Sequence, residues 1–249
     1  MAGYGWHAAQ VVYTWGFLDD SVKQKLGPEG LRRLLVGAFA PDLVKDKNKT
    51  HHYVPHPVHG DSYKIPDMKV VDELYFKPDA VQLGIELHLQ YDVDHINNFL
   101  LVYGKPTIID GKELFVNTTT GDALTCEQFF GNWETGVYGQ LYMLYDKFNA
   151  DIVARIMPLL NRYFYTNFSN TKNGFRAFMQ WLYPDGMPKT GIVEMDDRDE
   201  TTNIHTILKN FFSGEGEGCT IKASADSLIA IVVDSAKKAA EKINKAFKN

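Results

Sequence analysis

The stretch Leu87-His88-Leu89-Gln90-Tyr91-Asp92-Val93-Asp94-His95 holds the sharpest chemical signal in the chain. At about 100° per residue, His88 and Asp92 lie one turn apart on one face of a helix, and His95 falls within roughly 20° of His88 on that wheel. An imidazole, a carboxylate and another imidazole then line a single stripe. A divalent metal requires such convergent nitrogen and oxygen donors, at about 2.0–2.2 Å. Taken alone, the pair reads first as a core histidine capped by a nearby carboxylate.

Upstream residues give the pair a context. Gly37-Ala38-Phe39-Ala40-Pro41-Asp42 places an acid just past an expected helix end, where the carbonyl dipoles repel an anion. A broken local rule of this kind marks candidate functional sites, although aspartate after proline is also an ordinary turn. Thr50-His51-His52-Tyr53 follows, and His51, His52, His56 and His59 crowd one polar stretch. That stretch is either a solvated loop or the source of a ligand. His7 sits alone on an apolar, aromatic face, where packing is the plainer reading.

The elements that must position these residues are mostly helices. Apolar spacing predicts helices from about Trp6 to Leu18, from Pro28 to Ala40 with a stop at Pro41, and from Pro78 or Asp79 to about Val102. Residues 42–66 read as a long functional loop. Between 107 and 124, Ile109-Asp110-Gly111-Lys112 carries the Asp-Gly signal of a tight hairpin, a small β insertion between helices. Helical periodicity resumes from Cys126 to Tyr165 and from Gly174 to Tyr183, with a further helix near Ile204 to Phe212. Gly214-Glu215-Gly216-Glu217-Gly218 reads as a flexible linker to a C-terminal helix from Ala223 to Phe247. The expectation is one mostly α domain spanning residues 1–249.

Composition narrows the function classes. With 249 residues, 26 basic and 31 acidic, the chain carries a net charge of −5, which argues against duplex nucleic acid as the main partner. Cys126 and Cys219 are too few for a disulfide framework or a thiolate zinc site. No apolar run reaches the roughly 18 residues of a membrane span, and no secretory signal opens the sequence. A cytoplasmic protein is expected.

The combination of motifs resembles the zinc-dependent phospholipase C family, in its uncharacterised bacterial branch, whose fold is shared with single-strand-specific zinc nucleases. The resemblance rests on Trp6-His7-Ala8-Ala9, Gly37-Ala38-Phe39-Ala40-Pro41-Asp42, Thr50-His51-His52-Tyr53 and Leu83-Gly84-Ile85-Glu86-Leu87-His88-Leu89-Gln90-Tyr91-Asp92. It covers residues 6–95, under half of the chain, with a weaker echo at Met143 to Asn149. It implies an all-α, multi-helix fold around one to three divalent ions, zinc first, with manganese, iron or nickel also suited to these donors. By the same resemblance His7, Asp42, one of His51 and His52, His88 and Asp92 are ligands, with Asp92 bridging; His51 directly follows the matching threonine, and the tyrosine after His52 keeps that residue in play. The family's later His-x-x-x-Glu pair is missing, since His205 is followed four residues on by Lys209. His95, Glu134 or Asp146 would have to substitute, and Trp6 would have to become the first residue to serve as the family's N-terminal ligand. A one- or two-metal centre is the corresponding expectation.

The implied activity is metal-assisted hydrolysis of a phosphoester, a small soluble ester or a phospholipid head group, with Asp42 as ligand, general base or both. Trp6, Tyr53, Tyr91 and Phe99 could contact a base or an acyl chain, packing being the plainer reading. Two other classes compete: a metal-binding helical protein without turnover, and a helical interaction module without metal. A His-Asp doublet phosphohydrolase fits less well, because the chain has Asp94-His95 instead of adjacent His-Asp.

Overall fold

The structure, a computed structural model, describes residues 4–44, 46–57, 60–130, 148–164, 180–184 and 223–248. Among these the chain is mostly helical, with two small antiparallel sheets. Helices α1 (Tyr4–Phe17), α2 (Asp20–Leu26), α3 (Gly30–Leu43) and α4 (Asn48–His51) lead to strands β1 (Tyr53–His56) and β2 (Gly60–Pro66). Helices α5 (Met68–Tyr75) and α6 (Ala80–His95) follow, and a π-helical turn at Ile96–Leu100 runs into α7 (Leu101–Tyr103). Strands β3 (Gly104–Ile109), β4 (Lys112–Asn117) and β5 (Ala123–Leu124) precede α8 (Cys126–Phe130), α9 (Asn149–Phe164) and α10 (Ala225–Phe247). No described helix is long and apolar enough to cross a membrane.

Local chemistry accounts for the well-placed boundaries. Asp79 caps α6 by accepting from the backbone of Val81 and Gln82, and Asp67 caps α5 from Lys69 and Val70 in the same way. In the β3–β4 hairpin, Asp110 and Gly111 both take positive φ, 51° and 73°, as a two-residue turn between twisted strands requires. Ile109 accordingly pairs with Lys112.

Two expectations are corrected. Helix α3 does not stop at Pro41 but runs to Leu43, placing Asp42 in its last turn. A proline there costs only the bond that would reach back to Gly37, and the Pro41 carbonyl at the frayed end accepts from Thr50 Oγ1 at 3.3 Å. The stretch 42–66 is not a plain loop; it holds α4 and the β1–β2 ribbon, with a register shift between Pro55 and His56. In a two-stranded ribbon both strands are edges, so a proline without an N–H is tolerated.

Helix α6 is the centre of the fold, buried along most of its length between α3, α1 and α10. Its crossing with α3 is unusually close. A Cβ on Gly37 would overlap the Val81 carbonyl, and one on Gly84 would overlap the Leu34 carbonyl. These two glycines let the helix backbones touch, and the Asp42 end of α3 is thereby brought against His88. The large core runs from Trp6, Leu34 and Phe39 through Leu83, Leu87 and Tyr91 to Ile156, Val232 and Ile243. Trp6, Tyr91 and Phe99 lie in it, so their role is packing. A second small cluster of Ala40, Val71, Tyr75, Ile85 and Leu89 seats α5.

Candidate metal centre

Five of the expected residues converge. His7 comes from α1, Asp42 from the last turn of α3, His51 from α4, and His88 and Asp92 from successive turns of α6. Asp92 stands in the middle: its Oδ1 lies 3.6 Å from His7 Nε2, and its Oδ2 lies 3.5 Å from His51 Nε2 and 3.6 Å from His88 Nε2. His88 Nε2 is also 3.9 Å from Asp42 Oδ2. Two overlapping triads result, His7–His88–Asp92 and Asp42–His51–His88, and within each the ligand atoms lie within 4.8 Å of one another.

Each imidazole is aimed by its surroundings. His88 Nδ1 donates to the Ala38 carbonyl at 2.6 Å, across the α3–α6 crossing that the two glycines permit. His51 Nδ1 lies 3.1 Å from the Lys47 carbonyl and 2.9 Å from Thr50 Oγ1. Both rings then carry the proton on Nδ1 and turn the Nε2 lone pair toward Asp92, the second-partner arrangement that metal-binding histidines use. His7 stacks on His88 with ring centroids 3.7 Å apart and meets the edge of Tyr91 at 5.5 Å. Tyr53 stacks on His51 at 4.8 Å.

The protonation states suit a cation. Burial first, and the neighbouring His88 second, push His7 down to about 3, and burial likewise lowers His88. Both are neutral at pH 7, as ligands must be. Burial works against charge on the two carboxyls, yet Asp42 is held below its ordinary value, the Lys47 ammonium paired with it favouring the ionised form. The Lys47 ammonium pairs with Asp42 Oδ1, leaving Oδ2 facing His88.

This donor set fits a divalent ion. The Nε2 atoms of His7, His51 and His88 are buried with no hydrogen-bond partner among the described residues, and natural proteins rarely leave such atoms orphaned. Tetrahedral ligands about 2.1 Å from zinc sit about 3.4 Å apart. The facing His–Asp pairs stand 3.5–3.9 Å apart and no two donors of a triad exceed 4.8 Å, so binding an ion draws the donors inward. Imidazole and carboxylate donors suit zinc, manganese, iron and nickel alike.

The remaining expected residues lie elsewhere. His52 takes a left-handed conformation, φ 47°, at the end of α4; its ring lies 6.4 Å from that of Tyr75, and it belongs to neither triad. His95 is buried one turn beyond Asp92, stacked on Phe99 at 5.0 Å, and belongs to neither triad. Glu134, Asp146, His205 and Cys219, with the 204–212 helix and the 214–218 linker, lie outside the described residues. Lys47 was not legible beforehand, because a lysine in the run Lys45-Asp46-Lys47-Asn48-Lys49 reads as solvated. No family model, curated protein or solved structure matches this chain.

Proposed function

We propose that this chain is a metal-dependent phosphoester hydrolase of the zinc-dependent phospholipase C type, acting on a small phosphoester or a phospholipid head group. The observation that carries the reading is the convergence of His7, Asp42, His51, His88 and Asp92 from four helices onto one buried point, in the order the resemblance implies. Asp42, His51 and His88 would hold one ion, and His7 with Asp92 would hold a second beside it. Zinc is the first choice. When bound, a divalent ion supplies Lewis acidity, activating water and neutralising charge on the phosphate oxygens.

The chain's own groups do the rest. Asp92, with one oxygen toward each side, sets the spacing of the centre. Asp42 is the most exposed ligand, at 9% of its side chain, and would be the general base. Lys47, 29% exposed beside it, is paired with that carboxylate and orients it. The near-complete burial of the other ligands favours a second reading, a structural ion without turnover.

Elemental analysis of protein purified without added metal tests both. One or two equivalents of metal are expected, falling to one or none in Asp92→Asn and lost in His88→Ala. Hydrolysis of bis-(p-nitrophenyl) phosphate should follow the metal content. Metal without hydrolysis selects the structural reading. Protein free of stoichiometric metal, and indifferent to His88→Ala, overturns both.

A further inference from the structure

His7 differs from the other two imidazoles in one respect. His51 and His88 each have Nδ1 fixed by a backbone carbonyl. On His7 both Nδ1 and Nε2 are buried without a hydrogen-bond partner among the described residues. Ring stacking on His88 and the edge of Tyr91 hold its plane but do not choose which nitrogen carries the proton. Three residues along α1, Gln10 is fully buried, and its Oε1 and Nε2 are likewise without a partner among the described residues. A carboxamide that offers an acceptor and two donors to nothing is rare in a core. Residues three apart share a helix face, and long helical side chains lean back over the preceding turn. Gln10 and His7 therefore share a face of α1.

We propose that Gln10 is a positioning residue for the His7 arm of the centre: one water bridges its Oε1 and the Nδ1–H of His7, which do not bond directly. His7 Nε2 then presents its lone pair beside Asp92 Oδ1, as His51 and His88 do beside Oδ2. Two orphaned groups on one helix turn are satisfied through that water, and all three imidazoles share one tautomer. The glutamine supplies the acceptor that no backbone carbonyl supplies here. Its role in metal loading rests on the metal-binding reading above; its control of the His7 tautomer does not.

The test uses the full chain with Gln10→Leu, which removes both polar atoms, and Gln10→Glu, which keeps the acceptor. In the metal-free protein, ring nitrogen-15 shifts should place the His7 proton on Nδ1 in the parent and in Gln10→Glu, and not in Gln10→Leu. In a zinc titration followed by native mass spectrometry, Gln10→Leu should keep the ion at Asp42, His51 and His88. It should bind the second ion about 10-fold or more weakly, with Gln10→Glu restoring it. Gln10→Leu should also melt no lower than the parent when metal-free, because a pure packing role predicts the reverse. An unchanged His7 tautomer in Gln10→Leu overturns the proposal, and so does loss of both ions together with a lower melting point. A parent protein that takes up no zinc overturns the metal-binding reading, while the tautomer measurement still decides the role of Gln10.

Discussion

Three buried histidines give the metal-free protein a specific sensitivity to acid. Burial lowers His7 to about 3, lowers His88, and holds His95 well below its ordinary 6.5. An unfolded chain takes up these protons near pH 6.5 while the folded chain does not, so the unfolded state binds more protons and stability falls as pH drops from about 6.5 toward 3. His7 contributes about 1.4 kcal/mol per pH unit over that window, and His88 and His95 act in the same direction. Replacing His95 by Phe, which can keep the stack on Phe99, should make denaturant-derived stability fall less steeply between about pH 6 and 5, by about one proton. Parallel slopes would show that His95 is not held neutral. At this scale the sequence was informative for His88 and Asp92, whose helical spacing puts them on one face. It could not choose between His51 and His52, because that choice depends on which ring the fold brings beside Asp92.

Among elements, the crossing of α3 and α6 decides whether there is a site. Gly37 and Gly84 remove the side chains that would hold these helices apart, and His88 reaches the Ala38 carbonyl only at that separation. Adding a methyl group here forces backbone against backbone, so the cost exceeds an ordinary overpacked core position. Gly84→Ala should lose about 3 kcal/mol or more in chemical denaturation, and its metal content should fall although no ligand has changed. Full metal content with native stability would mean that the crossing tolerates separation. Gly37 and Gly84 stood in the sequence as members of short motifs, and nothing in either motif says that one faces the other. The hairpin at Asp110-Gly111 was legible for the opposite reason, since its geometry is fixed by two adjacent residues. The β1–β2 ribbon was not, because prolines at Pro55 and Pro57 imitate a loop.

Over the whole molecule, the two ends of the chain close around α6. Thr14 of α1 reaches the Ala236 carbonyl of α10 at 3.5 Å, and Asn244 bonds the Asp19 amide and the Phe17 carbonyl. Ser235 donates to Asp94 at 2.6 Å. Lys242 clamps α10 to α5 and α6, bonding Asp72 at 2.7 Å and the buried Glu86 at 2.8 Å while lying over the Phe76 ring. Burial pushes Glu86 up to about 7 even with Lys242 beside it. The folded state thus holds a proton that the unfolded chain releases above about 4.5, and Glu86 costs stability as pH rises through that range. Lys242→Met should cost about 2 kcal/mol near pH 8 and much less near pH 5, with the added change Glu86→Leu recovering most of it. A loss independent of pH would assign the effect to packing alone.

By itself the sequence determined what is local. Helical periodicity, the Asp-Gly turn, and a histidine and an aspartate one turn apart follow from residue spacing, because their geometry is set within a few bonds. The tertiary structure alone decided which distant residues meet. Asp42 became a partner of His88 because α3 continues past its proline and crosses α6 at two glycines. His51, and not His52, entered the cluster by reaching Asp92, and His7 arrived by the packing of α1 on α6. Such contacts depend on burial and close approach summed over whole helices, which no short window of sequence contains.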